Sequence, residues 1–317
     1  MSKRGWVLFA AMSLIWGIPY LLIKVADEEL TPATVVFLRT GVAALLLVPI
    51  AARRNLLRPL LAKWQWLVIY TVVEIAGPWL LLTHAETRLS SSLSGLLIAA
   101  VPLIGAIVLA GLGSSGQHDN RHDDRLDAKR LLGLLVGLGG VGVLVGVDVS
   151  GSDAWAVVEI AVTAVGYAVG PIIIARRLTD LPTLGVVAAS LGLTALGYAP
   201  VALTQLPSHV SGRVAWSIAG LALVCTALAF IVFFALIAEV GPARATVITY
   251  VNPAVALVLG VLLLNEDFTV GIAIGFPLIL LGCFFATARN RPPRATVAPQ
   301  ATDSPLARQP VPEVAES

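Results

Sequence analysis

Ten apolar stretches, each about as long as a bilayer-crossing helix, dominate this chain and decide what it can fold into. Bounded by charged or turn residues, they run at 5–23, 34–52, 64–83, 92–112, 130–147, 154–174, 183–203, 215–236, 243–264 and 268–287. Spanning hydrocarbon takes about 20 apolar residues, so ten spans use most of the 317 residues and leave no room for a separate soluble domain. Charged residues make up only 13% of the chain, against about 25% in soluble proteins. Inside lipid every backbone polar group must be paired internally, which leaves helices or closed barrels. The alternating segments of about ten residues that a barrel needs are not visible. The pattern predicts an all-α polytopic membrane protein with ten transmembrane helices.

The loops fix its orientation. Seventeen of the 21 Lys and Arg residues fall on the side shared with the N-terminus, Lys24, Arg88 and Arg213 fall on the other, and Arg39 lies within the second span. Cytoplasmic loops carry the excess of basic residues, so both termini are placed in the cytoplasm and the span number is even. The net charge of +2 is scattered over loops and tail, and gives no basic face for nucleic acid. Met1 to Arg4 followed by an apolar run imitates a signal peptide. That run continues to Ile23 without a small-x-small cleavage site, which reads as a retained first helix. Cys225 and Cys283 have no partners at zinc or redox spacing and read as small buried hydrophobes. His118 and His122 stand four apart in the loop 113–129, but their Gly and Ser neighbours offer no rigid ligand frame; no metal and no other cofactor is expected. The Arg, Pro, Ala and Gln composition of 289–317 predicts a disordered cytoplasmic tail.

A shift of 151 residues aligns Ile23 with Ile174, Val35 with Val186, Gly41 with Gly192, Pro49 with Pro200 and Pro102 with Pro253. The chain therefore divides into a first five-helix repeat over 5–147, including the cytoplasmic loop 113–129, and a second over 152–287. Five is odd, so the second copy enters the membrane upside down, the inverted arrangement of secondary carriers.

Glu74 lies in the middle of the third span, roughly 15 Å from each interface at 1.5 Å per residue. A charge there costs at least about 2.5–3.5 kcal/mol, so the carboxyl must face the interior with a proton, a counter-cation or water. It is a candidate for proton coupling or for binding an amine, with a hydrogen-bonded structural acid as the alternative. Arg39, near one end of the second span, is expected to snorkel to the interface. Gly133/Gly137, Gly142/Gly146, Gly166/Gly170 and Gly271/Gly275 have the spacing for close helix packing, within one chain or between two, which leaves a monomer and a homodimer open. The fourth span carries Ser94 and Pro102, and the ninth carries Thr249, Tyr250, Asn252 and Pro253. Each proline frees a carbonyl one turn earlier and breaks its helix near the bilayer midplane, as a binding site requires. Trp16, Tyr20, Trp79 and Tyr167 are further candidates for the cavity lining.

Trp16-Gly17, Arg39, the Ser-rich entry to Pro102, Asn252-Pro253 with Leu264-Asn265-Glu266, and the Gly-rich fifth and tenth spans together resemble the EamA-type carriers of the drug/metabolite transporter superfamily over about residues 5–287. The resemblance implies a central cavity between halves, alternating access, and export of amino acids, metabolites or drugs across the bacterial inner membrane. The first repeat departs from it: the family's Gly-Glu pair is replaced by Gly111-Leu112-Gly113-Ser114-Ser115, so only Glu266 matches. The expected partners are a small-molecule solute, the lipid bilayer and, if Glu74 carries them, protons. No phosphate-cradling Gly-x4-Gly-Lys-[Ser/Thr] loop is present for a nucleotide-driven pump. An intramembrane enzyme acting on a lipid-linked substrate finds neither paired carboxylates nor a nucleophile beside a base, and a channel would show conductance without saturation.

Overall fold

The computed structural model describes residues 1–113, 128–149 and 151–287. Most of the loop around His118 and His122 and the tail 289–317 lie outside the described residues. Ten helical segments follow one another: α1 (Lys3–Ala26), α2 (Pro32–Arg53), α3 (Arg58–Glu86), α4 (Ser91–Val108), α5 (Leu131–Asp148), α6 (Ala154–Arg177), α7 (Thr183–Thr204), α8 (Gly212–Val240), α9 (Val247–Leu263) and α10 (Val270–Thr287). Among the described residues nine are long and apolar enough to cross a membrane, and α9 is shorter. The chain is an all-α, multi-pass membrane protein. Lys3, Arg53, Arg58, Lys63 and Arg177 stand at one end of the bundle, the basic end, and Lys24, Glu28 and Arg213 at the far end.

The predicted breaks are present, and each has a local cause. In α4 the helix stops at Ile98, turns over Ala99 and Ala100, and restarts at Val101 with Pro102 in its first turn. In α9 a 3-10 turn over Thr246–Tyr250 gives way to regular helix at Asn252, where Pro253 has no donor to lose. The two breaks correspond under the shift that aligns the halves of the sequence.

Two further irregularities are wide turns. α3 widens to a π turn over Thr71–Ala76, because Pro78 cannot donate to the Glu74 carbonyl and its ring crowds it. Gly77 N–H reaches back five residues to Val72 instead. α8 widens over Gly220–Leu228, where the Thr226 hydroxyl donates to the Leu221 carbonyl at 2.8 Å. These wide turns add length, and both helices exceed their predicted bounds.

The packing is regular beneath these irregularities. α5 lies against α10, α2 against α7 and α4 against α9; α3 packs on α6 as α1 packs on α8; α2 touches the wide turn of α8 as α7 touches that of α3. Adding or subtracting five from every helix number returns the same set of pairs. The α5–α10 contact is close enough that a Cβ on Gly140 would stand 2.7 Å from the Gly275 carbonyl, and one on Gly282 2.3 Å from Gly137 Cα. In lipid, van der Waals packing of this kind replaces the hydrophobic drive that folds soluble bundles. Gly142 and Gly146 face open space instead.

The two ends differ. At the far end Ile23, Ala26, Leu89, Leu93 and Val214 belong to one continuous buried cluster, joining α1, α3, α4 and α8. That cluster continues along α4 and α10 to Leu103, Cys283 and Ala286, and two further clusters stand nearer the basic end. Met12, Leu236 and Ile248 cluster among α1, α8 and α9, while Leu60, Leu67, Leu178 and Val187 cluster among α2, α3, α6 and α7. The halves of α4 and α9 nearer the far end pack on each other, while nearer the basic end α4 turns to α6 and α10, and α9 to α1 and α8.

Candidate functional site

A cavity of about 290 Å³ occupies the gap between these two clusters. Trp16, Tyr20, Glu74, Trp79, Tyr167, Thr249, Asn252 and Pro253 all line it, so eight of the residues singled out in the sequence converge on one space. Pro171, in the half of α6 nearer the basic end, also lines it and is exposed.

Glu74 sits on the wide turn of α3 and lies over Gly170 of α6. A Cβ on Gly170 would fall 1.8 Å from Glu74 Oε2, and one on Gly166 2.3 Å from the Val73 carbonyl. These two glycines let the α3 backbone and the Glu74 side chain settle into the surface of α6. Two neighbouring helices bond the α3 backbone at the end of the wide turn and just beyond it. Tyr198 of α7 donates to the Ala76 carbonyl at 3.0 Å, and Thr163 of α6 to the Pro78 carbonyl at 3.3 Å. Glu74 Oε2 itself is buried and has no hydrogen-bond partner among the described residues, an arrangement that costs free energy in a low dielectric.

Arg39 does not snorkel. Only 7% exposed, its side chain turns inward, its Nε donates to Thr226 at 2.9 Å and its guanidinium lies 3.7 Å above the Trp79 ring. Its depth was legible from the span boundaries but its direction was not, and a water-accessible cavity with an aromatic face removes the need to reach the interface. A matching bond occurs in the other half, where Thr71 of α3 donates to Ser190 of α7 at 2.9 Å. The shift between the halves carries Arg39 onto Ser190 but Thr226 onto Ile75, so the two bonds correspond at one end only.

An aromatic wall closes the α8 side: Trp16 meets Phe233 at 4.7 Å between centroids and Phe230 edge-on at 6.2 Å. Gly17 lets α1 approach α9 at its break, with room for a Cβ only 2.4 Å from Val255. The Asn252 carboxamide, with its nitrogen turned to α1, donates to the Ile248 carbonyl at 2.9 Å and the Ser13 carbonyl at 3.2 Å. It thus ties the broken helix to its neighbour.

Three expected site residues are elsewhere. Tyr250 points to α10, its hydroxyl 2.8 Å from that of Thr287. Ser94 is wholly buried within α4, its hydroxyl without a partner. Pro102 breaks its helix but leaves the lining to its neighbour Val101. Cys225, Phe230 and Phe233 line the cavity and were missed. The internal duplication carries a signal for Cys225, since the shift between the halves places it opposite Glu74, on the matching wide turn.

A polar cap stands at the far end of the bundle, beyond the cavity. Asn265, in the left-handed conformation (φ 54°), reverses the chain after α9, and Glu266 N–H bonds the Gly260 carbonyl. The Glu266 carboxylate then accepts from Ser91 N–H at 2.7 Å and Ser92 N–H at 2.9 Å at the start of α4, where Ser90 caps the helix by accepting from Leu93. A carboxylate there satisfies unpaired donors and the helix dipole together. Lys24 of α1 donates to the Glu86 and Leu89 carbonyls at the end of α3. Arg213 pairs with Glu28 at 3.2 Å, and Glu29 accepts from Ser211 N–H at 2.8 Å. The Ser211 side chain, with that N–H bond beside it, holds the exposed Glu29 carboxyl below its usual range.

The sequence profile of the EamA-like transporter family matches residues 3–115 and 154–288, one stretch in each half. The "Uncharacterized inner membrane transporter YedA" of Escherichia coli K12 is 29% identical over 79% of this chain and 79% of its own length. The "Uncharacterized transporter YvbV" of Bacillus subtilis is 22% identical over 93% of this chain and 95% of its own. A solved crystal structure, 21% identical, superposes with a TM-score of 0.62 over 90% of this chain and 98% of its own, a likeness of fold.

Proposed function

Since the chain belongs to the EamA-like transporter family, we propose that it is a secondary carrier that exports a small organic solute, of the size of an amino acid or a small drug, across the bacterial inner membrane by alternating access. The halves 5–147 and 152–287 act as inverted repeats that rock about the cavity, with both termini in the cytoplasm. The basic end is then the cytoplasmic one. The observation that carries this reading is a cavity lined by both halves and bearing an acid and a base, divided from one end by a packed polar cap and flanked by separate clusters at the other. Such a state loads from the cytoplasm.

The lining suits a solute with an apolar or aromatic body and at least one polar group. Trp16, Phe230 and Phe233 offer faces, and Arg39 and Glu74 offer opposite charges. The volume lies at the small end of the about 300–1,000 Å³ typical of ligand pockets. Glu74 is the candidate carrier of a coupling proton, because its buried oxygen has no partner and it reaches the cavity.

The test is reconstitution in liposomes with a metabolite mixture on one side. A carrier gives saturable uptake stimulated by solute on the opposite side. Flux without saturation or counterflow points to a channel, and product without flux to an enzyme. With a substrate in hand, Glu74→Gln should abolish flux driven by a proton gradient while solute-for-solute exchange continues. Gradient-driven flux that survives the substitution removes Glu74 from that role.

A further inference from the structure

A second cavity, of about 430 Å³, lies apart from the first, at the basic end where the start of α3 meets the end of α6. Lys63, Trp64, Gln65, Trp66, Arg176 and Arg177 line it. Lys63 is partly engaged: its ammonium pairs with Asp180 and donates to the Arg177 carbonyl at 3.0 Å. Arg177 lies with its guanidinium 4.5 Å from the Trp66 ring centre, which uses its face and leaves its N–H edge for an acceptor. Arg176 is exposed and in no ion pair among the described residues. Two guanidiniums, an ammonium and an amide around one hollow form a site for an anion with several oxygens, and the planar fork of arginine matches phosphate in particular.

The neighbouring surface says what kind of phosphate. Leu61, Trp64, Val68 and Val72 are all exposed. Trp64, Val68 and Val72, four apart, form one stripe along α3, running from the rim of the hollow toward the bilayer centre, with Leu61 on the 3-10 turn that precedes the stripe. Trp64 and Trp66 stand at the headgroup level, where tryptophan collects in membrane proteins. A soluble phosphate has no use for that stripe, whereas an acyl chain lies along it. We infer that this hollow binds the phosphate of an anionic phospholipid whose acyl chain follows the Trp64–Val68–Val72 face of α3. The chemistry is that of the basic pockets between spans that take acidic headgroups. A lipid held there would tie the base of α3 to α6, the two helices that meet again at Glu74 and Gly170.

The full chain, purified in a neutral detergent, is to be examined by native mass spectrometry and by thermal melting with added phosphatidylglycerol, phosphatidylcholine or inorganic phosphate. Phosphatidylglycerol should be retained and should raise the melting temperature at a concentration about tenfold below that of phosphatidylcholine, with inorganic phosphate neither stabilising nor competing. Arg176→Gln with Arg177→Gln should remove this preference; Arg53→Gln with Arg54→Gln, an equal loss of charge at the same end, should keep it. Equal response to both lipids overturns the proposal, as does competition by inorganic phosphate, which marks a soluble-anion site. Loss of the preference in the Arg53/Arg54 variant also overturns it, reducing the effect to the charge of that end. If the Arg176/Arg177 variant does not fold, Trp64→Ala is measured instead: it should weaken phosphatidylglycerol retention, and unchanged retention counts against the site.

Discussion

The carboxylate of Glu74 occupies the place where a side chain at position 170 would begin, so that Oε2 stands 1.8 Å from the Cβ that any residue but glycine would carry there. Glu74 Cβ and Cδ are 2.8 and 2.6 Å from the same point, so swinging the carboxylate aside does not resolve the clash. Gly170→Ala must push the whole side chain, and the wide turn beneath it, away from α6. Overpacking of this kind costs about 1–3 kcal/mol. The expected outcome is a lower melting temperature and loss of transport, with binding of solute weakened in parallel. Melting curves and liposome uptake check it. Gly142→Ala, where no heavy atom lies within 4 Å of the added methyl, should leave both unchanged.

Arg39 bridges the halves of the molecule through its bond to Thr226 and lies above Trp79 of its own half. Lysine keeps the charge but loses the planar face and the Nε donor, so Arg39→Lys is not conservative here. It should raise the half-saturating solute concentration about tenfold or more, a loss of roughly 1.4 kcal/mol, with the fold intact. Thr226→Val should produce a smaller change in the same direction. Concentration-dependent uptake distinguishes these effects from a loss of folded protein, which would lower the maximal rate alone.

The spans, the breaks at Pro102 and Pro253 and the matching of the halves could be read from the sequence because hydrocarbon thickness and the missing proline donor act on the chain locally. Which way a side chain points could not. A helix apolar on every side has no polar face to orient it, so Thr249 and Tyr250 are indistinguishable in sequence although one lines the cavity and the other packs on α10. Arg39 was misjudged for the same reason. The wide turn at Glu74 follows from Pro78, but the one at Thr226 arises from a threonine hydroxyl and leaves no such mark; only its correspondence with Ile75 under the shift between the halves gives it away.

Glu266 bridges the turn after α9 to the first two free N–H groups of α4. Replacing an acceptor at a helix start costs about 0.5–2 kcal/mol, and here that loss falls on the closed far end alone, since the bond spans two segments that must part when this end opens. Glu266→Ala should therefore shift the population toward a far-end-open form. A cysteine introduced at Leu82, in the cavity lining, should react faster with a membrane-impermeant thiol reagent applied from the far-end side. Unchanged labelling would assign the bond to folding instead of gating.

Asp27, at the far end of α1, has both carboxyl oxygens buried without hydrogen-bond partners, with Lys24 on its own helix and Glu86 at the end of α3 as the charged groups facing it. The Lys24 ammonium is committed to the backbone carbonyls of Glu86 and Leu89. Burial pushes the Asp27 carboxyl up from an ordinary value of 3.8 to about 8. An opened far end hydrates the group and returns it toward that ordinary value, so the closed form binds the proton more tightly than the open one. The closed form consequently has its full advantage below about pH 4 and loses it progressively as the pH rises toward 8. Labelling of the same cavity cysteine from the far-end side, divided at each pH by the rate of the same thiol in denatured protein, should accelerate between pH 6 and about pH 8, and Asp27→Asn should flatten that corrected dependence at the slow rate. A pH profile that persists in Asp27→Asn would transfer the effect to another group of the cap.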